Sequence, residues 1–169
     1  EAKTGLMDPI KLREKLINTP PNKRPKIVVV VHLAGTSCKM SEIHDIAREY
    51  RFNIIEDASH AIGGEYQGKK IGECYYSDLT IFSFHPVKII TTGEGGMAMT
   101  NKEELFKKMK KLRNHGITKN EQEFIRCDMG SWYYEQQDLG FNYRMTDIQA
   151  ALGISQLGRL KTIIGKRNQ

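Results

Sequence analysis

Three kinds of side chain able to do chemistry, and a glycine-rich turn, fall at or just beyond the ends of short apolar runs. Asp57 follows Phe52 to Glu56, a run that reads as a strand. Ser83 closes a second such run, Leu79 to Ser83, and Lys88 comes five residues later in Ser83-Phe84-His85-Pro86-Val87-Lys88. Thr91-Thr92-Gly93-Glu94-Gly95-Gly96 follows. Ligands of open parallel sheets bind beyond the carboxyl ends of the strands. The pattern therefore gathers an acid, a hydroxyl, an amine and a glycine-rich turn at one edge of a sheet. Singly, each has a plainer reading: a surface lysine, a loop or capping aspartate, a strand-end serine, a turn that needs positive φ. As a set they suit pyridoxal phosphate, which requires a lysine for a Schiff base and an acid beside its ring nitrogen. An anionic Asp57 keeps that nitrogen protonated, because a nearby opposite charge favours the charged form. The Ser83 hydroxyl can bind the cofactor phosphate. The Lys88 amine, once substrate has displaced it, is placed to move a proton between substrate and cofactor carbons.

The elements that must position these groups are legible in the spacing. Asp8-Pro9 opens a capped helix carrying Ile10, Leu12, Leu16 and Ile17, which Pro20, Pro21 and Pro25 bring to an end. Ile27 to Val31 is a continuous β-branched run, which predicts a strand buried on both faces. Ser41 is expected to cap a helix with Ile43, Ile46, Ala47 and Tyr50 on one side. Met97 to Thr100 reads as a further strand. Asn101 with Glu104 forms a capping-box pattern ahead of a helix whose buried stripe is Leu105, Met109 and Leu112. Thr146 with Gln149 forms another, opening a helix through roughly Leu160. Alternating strands and helices predict an α/β fold, a mainly parallel sheet with helices on both faces. Residues 116–139 show no clear period, so a functional loop and a missed strand both remain open. Trp132, Tyr133 and Tyr134 in that stretch read equally well as core or as substrate contacts.

Composition limits the classes further. Of 169 residues, 39% are hydrophobic and 27% charged, the profile of a globular chain rather than a disordered one. The longest apolar run, Ile27 to Val31, is far short of the roughly 20 residues that span a bilayer. The net charge of +6 owes much to Lys107, Lys108, Lys110, Lys111 and Arg113, which read as a solvated helix face; no nucleic-acid module is visible. Cys38, Cys74 and Cys127 are odd in number and far apart, so neither a zinc site nor a disulfide framework is indicated, and a reducing cytosol is expected. Glu1 is not an initiating Met, which leads us to expect missing upstream sequence.

Five ordered segments carry a resemblance. They are Glu56-Asp57-Ala58-Ser59-His60-Ala61, Phe82 to Lys88, Gly93-Glu94-Gly95-Gly96, Leu112-Arg113-Asn114-His115-Gly116 and Leu139-Gly140-Phe141-Asn142-Tyr143-Arg144-Met145. In order and spacing they resemble the DegT/DnrJ/EryC1/StrS family, sugar aminotransferases of fold type I that use pyridoxal 5'-phosphate. Val30-Val31-His32 is similar to a Pro-Val-His segment of many members, and the likeness runs from about Thr4 to Leu160. Within the family, Trp132 to Glu135 and Ala150 to Leu157 look most like the branch that aminates UDP-4-keto-6-deoxy-N-acetylhexosamines, as in pseudaminic acid synthesis. The resemblance makes Lys88 the Schiff-base lysine, Asp57 the pyridinium partner and Ser83 a phosphate ligand. His60 stands where many members have Gln, near the cofactor's phenolic oxygen. Asn142 resembles the asparagine that reaches the neighbouring subunit's cofactor phosphate, which implies a homodimer at full length. Arg144 is expected to help line the sugar-nucleotide site.

On this likeness residues 1–169 are the central part of the cofactor-binding large domain, without the N-terminal part and the C-terminal small domain. The implied activity is amino transfer, from an amino-acid donor such as glutamate to a nucleotide-linked 4-keto-6-deoxy sugar, in the cytoplasm, with little turnover by this piece alone. Two other readings stay open. One is a related sugar dehydratase, in which His replaces the lysine that Lys88 retains. The other is an inert or regulatory remnant.

Overall fold

A computed structural model describes residues 1–126 and 129–169; Cys127 lies outside the described residues. The chain divides into two compact units. Residues 1–101 and 147–169 form the first, and residues 102–146 form the second.

The first unit is built on a four-stranded sheet. Its strands are β1 (Ile27–Val31), β2 (Asn53–Asp57), β5 (Leu79–Ser83) and β6 (Gly96–Met99), in that spatial order. β1, β2 and β5 run parallel, and β6 is antiparallel to β5. A small antiparallel hairpin of β3 (Glu65–Tyr66) and β4 (Lys69–Lys70) lies between β2 and β5 in sequence. Helix α1 (Pro9–Ile17) begins where Asp8 accepts hydrogen bonds from the Ile10 and Lys11 amides, with Pro9 at the first position, as expected. Helix α2 (Met40–Tyr50) buries Met40, Ile43, Ile46 and Ala47, one face of a 3.6-residue period. These meet Leu16, Val28, Val30, Phe52 and Ile54 in the core. Each fully buried Ile or Leu there contributes roughly 1.5–3 kcal/mol by leaving water. After Gly96–Met99 the first unit resumes with α4 (Asp147–Leu157) and α5 (Leu160–Arg167).

The second unit contains α3 (Glu103–Leu112) and an antiparallel pair, β7 (Ile117–Thr118) with β8 (Glu135–Gln136). Among the described residues the aperiodic stretch thus holds two very short strands and a 3-10 turn, Glu121–Glu123. Trp132 is exposed.

Several expectations are corrected. β1 is buried on one face only: Val28 and Val30 point inward, whereas Ile27, Val29 and Val31 remain 41–51% exposed. A β-branched run satisfies strand geometry whether or not its second face is covered. Ser41 lies inside α2 rather than capping it, and its hydroxyl bonds Tyr66. Asn101 does not cap α3; its amide donates to the Glu73 carbonyl, and Lys102 takes the cap position. The α3 stripe is only half-buried at Met109 and Leu112, and Leu105 is exposed. The last helical pattern breaks into two helices at Gly158 and Arg159. Among the described residues no helix is long and apolar enough to cross a membrane.

Candidate active site

The sheet register brings the acid and the hydroxyl together. Val31 pairs with Asp57 and Asp57 with Ile81, so Asp57 closes the central strand and Ser83 closes its parallel neighbour two residues further on. The Asp57 carboxylate accepts the Ser59 amide at 3.1 Å, an Asx turn that stops the strand and reverses the chain. Two further turns, Ala61 N to Ala58 O and Gly64 N to Ala61 O, carry the backbone past His60. His60 accepts the Ala34 amide on Nδ1 at 3.3 Å, which leaves its ring proton on Nε2. Ala34 sits in left-handed backbone at φ 54 to make that contact. Gly35 follows at φ +88, and a Cβ there would approach the His60 carbonyl oxygen to 3.0 Å.

Lys88 stands on the loop that leaves β5. Phe84 closes the base of that loop: its amide donates to Gly95 O at 2.8 Å, and its carbonyl accepts from Thr92 N at 3.0 Å and Thr91 Oγ1 at 2.9 Å. Inside it the Lys88 amide donates to His85 O, and His85 Nδ1 accepts the Val87 amide. His85 is thus occupied in shaping the turn. The glycine-rich segment therefore abuts the end of β5, with Gly96 paired to Ser83.

A cleft of about 540 Å³ opens here, lined by Ala34, Gly35, Ser59, His60 and Lys88 among others. Asp57 and Ser83 end the strands beside it without lining it. The Asp57 carboxyl is held below its ordinary value, first by hydrogen bonding from Ser59 and least by the positive charge of Lys88. Arg167 of α5, which also lines the cleft, donates to the Lys88 carbonyl at 3.2 Å. Asn142 and Arg144 belong to the second unit: Asn142 bridges to Asn114, whose side-chain oxygen accepts from Arg144 at 2.5 Å. Among the described residues no group of three His, Cys, Asp or Glu is arranged to hold a metal.

Sequence reasoning assigned no role to Ser59, whose Asp-x-Ser spacing is the signature of the turn it makes. It also passed over His32 and Glu56, both buried, whose pairing links residues 24 apart in the chain.

All of residues 1–169 match the DegT/DnrJ/EryC1/StrS aminotransferase family. The chain belongs to that family. It is 42% identical over 165 residues, 98% of its length, to the UDP-4-amino-4,6-dideoxy-N-acetyl-beta-L-altrosamine transaminase of Campylobacter jejuni. Helicobacter pylori PseC, an aminotransferase involved in the biosynthesis of pseudoaminic acid, superposes with TM-score 0.80 at 37% identity over 94% of the chain. The sugar aminotransferase Spr1654 of Streptococcus pneumoniae, solved in its PMP form, superposes with TM-score 0.83 at 30% identity over 99%. The chain spans 40%, 38% and 45% of the lengths of these three family members. The residues present suit the cofactor of such aminotransferases: a strand-end carboxylate kept anionic, an amine in a cleft with room for a substituted ring, and a glycine where a side chain would press on the cleft wall.

Proposed function

We propose that the protein bearing this chain is a pyridoxal-phosphate-dependent aminotransferase that moves an amino group from an amino acid, glutamate, to a nucleotide-linked 4-keto-6-deoxy sugar. In this reading residues 1–169 are the central part of its large domain. The protein works in the cytoplasm as a homodimer, and the isolated 169-residue chain turns over little or nothing. One observation supports the reading above the others: the register sets Asp57 and Ser83 at the carboxyl ends of neighbouring parallel strands, beside a cleft that His60 and Lys88 line.

When bound, the cofactor supplies an electron-poor ring that accepts the electrons of a bond broken at the adjoining carbon. The chain's own residues do the rest. Lys88 holds the cofactor through Nζ and, when freed, takes and returns the proton at the reacting carbon. Asp57 keeps the proton on the ring nitrogen, and Ser59 keeps Asp57 ionised by donating to it. His60, its Nδ1 occupied by the Ala34 amide, offers an Nε2 proton to an oxygen of the cofactor. Ser83 binds the phosphate, Asn142 serves the partner subunit's phosphate, and Arg144 contributes to the sugar-nucleotide site.

The test is incubation of the intact protein with glutamate and a UDP-linked 4-keto-6-deoxy-N-acetylhexosamine. The expected product carries a new amine, with one 2-oxoglutarate formed per sugar. A deoxygenated sugar without amine gain would instead establish the dehydratase, and no conversion of any keto-sugar nucleotide would refute the reading.

A further inference from the structure

Asp57 shares its strand with a second carboxylate that faces the other way. Successive side chains of a strand point to opposite faces, and Glu56 therefore enters the core, where it is 5% exposed. One of its oxygens accepts His32 Nε2 at 2.7 Å. The other accepts the hydroxyls of Thr80, at 3.0 Å, and of Ser77. Burial pushes the Glu56 carboxyl up, but the hydrogen bonds from His32, Ser77 and Thr80 outweigh it and hold the group below its ordinary value. His32 is fully buried. Its Nδ1 accepts the Cys38 amide at 3.2 Å, so its one ring proton faces Glu56.

The backbone of His32 grips the site twice, although its ring does not line the cleft. Its amide donates to the Asp57 carbonyl at 3.0 Å, and its carbonyl accepts the Gly35 amide at 3.1 Å. The second bond closes the turn in which Ala34 adopts φ 54 and presents its amide to His60. The strand end that carries Asp57 and the turn that holds His60 thus meet at one residue. Its imidazole is tied on both nitrogens, to Glu56 on β2 and to the start of α2 through Cys38.

We propose that His32 and Glu56 are positioning residues: a buried hydrogen-bonded pair that fixes the strand end bearing Asp57 and the turn gripping His60, and so sets the aim of both toward the cofactor. This rests on the reading that Asp57 and His60 face that cofactor. Replacing His32 leaves a buried carboxylate short of a donor and the Cys38 amide without an acceptor. The local register then relaxes, and a small displacement of groups that must align is costly to binding and rate.

The test uses the intact protein and measures the cofactor dissociation constant well below the apo melting temperature. It also measures hydrogen exchange of the Ala34 and Ser59 amides in the apo form. His32→Leu is expected to weaken cofactor binding by about tenfold or more and to speed both amides by a similar factor. Ile43→Ala, in the same core but away from the pair, is expected to lower the melting temperature while holding binding within about twofold. Glu56→Gln, whose amide oxygen still accepts from His32 and whose NH2 can donate to Ser77 and Thr80, is expected to restore binding to within about threefold. Unchanged binding in His32→Leu, or equal weakening in Ile43→Ala, overturns the proposal. Should His32→Leu not fold, Thr80→Val removes one donor from Glu56 and is expected to weaken binding about threefold; no change there overturns it as well. Asp57→Asn serves as the separate control: if it leaves cofactor affinity and absorbance unchanged, the site reading itself fails, and this inference with it.

Discussion

Two buried carboxylates, one in each unit, organise their surroundings by different means. Glu56 sits in a parallel sheet and is served by side chains: His32, Ser77 and Thr80. Glu135 sits on a two-residue strand and is served largely by backbone. It accepts the Ile125 amide at 2.8 Å and the Arg126 amide at 2.9 Å, together with Tyr133 and Gln137. The first reinforces a register that the strands already define. The second substitutes for a register, gathering a loop that has almost no ladder of its own. Asp57 and Ser83 therefore stand at strand ends, whereas the loop of the second unit is gathered by one ionised side chain.

That contrast orders the expected effects of substitution. On the proposed reading Lys88→Ala in the intact protein would remove both the covalent link and the proton carrier, and turnover is expected to fall by more than about a thousandfold. Steady-state kinetics with the apo melting curve checks this; an unchanged melt beside lost turnover marks a chemical role. Asp57→Asn keeps the shape and deletes the charge, and is expected to lower kcat by about a hundredfold. It should also move the bound cofactor's absorbance, and a kcat within a few-fold of the parent would break the assignment. Gly35→Ala forces a side chain into left-handed backbone, which costs about 1–2 kcal/mol. It should lower the melting temperature and loosen the Ala34 amide in hydrogen exchange.

The smallest effect lies in the second unit and depends on pH. Glu135 is lowered from 4.5 to about 2, first by the Ile125 amide, despite the opposing effect of burial. A carboxyl lowered in the folded state stabilises it fully above the unfolded value and loses that contribution as pH falls toward the folded one. Protection of residues 117–126 and 129–137 against hydrogen exchange, taken relative to the intrinsic rate at each pH, should therefore fall as pH drops from about 4.5 to about 2. Glu135→Gln should remove that pH dependence, and its persistence would assign it to another group.

The same contrast explains what the sequence disclosed. Leu79–Ser83 and the Asp8-capped helix were legible to the residue, because each follows from local period or local capping. So was the gathering of Asp57, Ser83 and the Gly93–Gly96 segment at one edge, since strand ends in a parallel sheet share an edge. The open face of β1 was not legible, because Ile27, Val29 and Val31 are strand formers whether covered or bare. Asn101 and Ser41 matched capping patterns, yet Glu73 and Tyr66 offered them tertiary partners instead. The His32–Glu56 pair and the Glu135 hub leave no periodic trace, since each depends on contacts between segments distant in the chain or within a loop without repeat.

The most direct measurement is borohydride reduction of the intact, cofactor-loaded protein, followed by peptide mapping. Reduction fixes the cofactor to whichever lysine carries it. The mass of the reduced pyridoxyl phosphate is expected on the peptide containing Lys88 and nowhere in the Lys88→Ala protein; a label on another lysine, or none at all, contradicts the assignment.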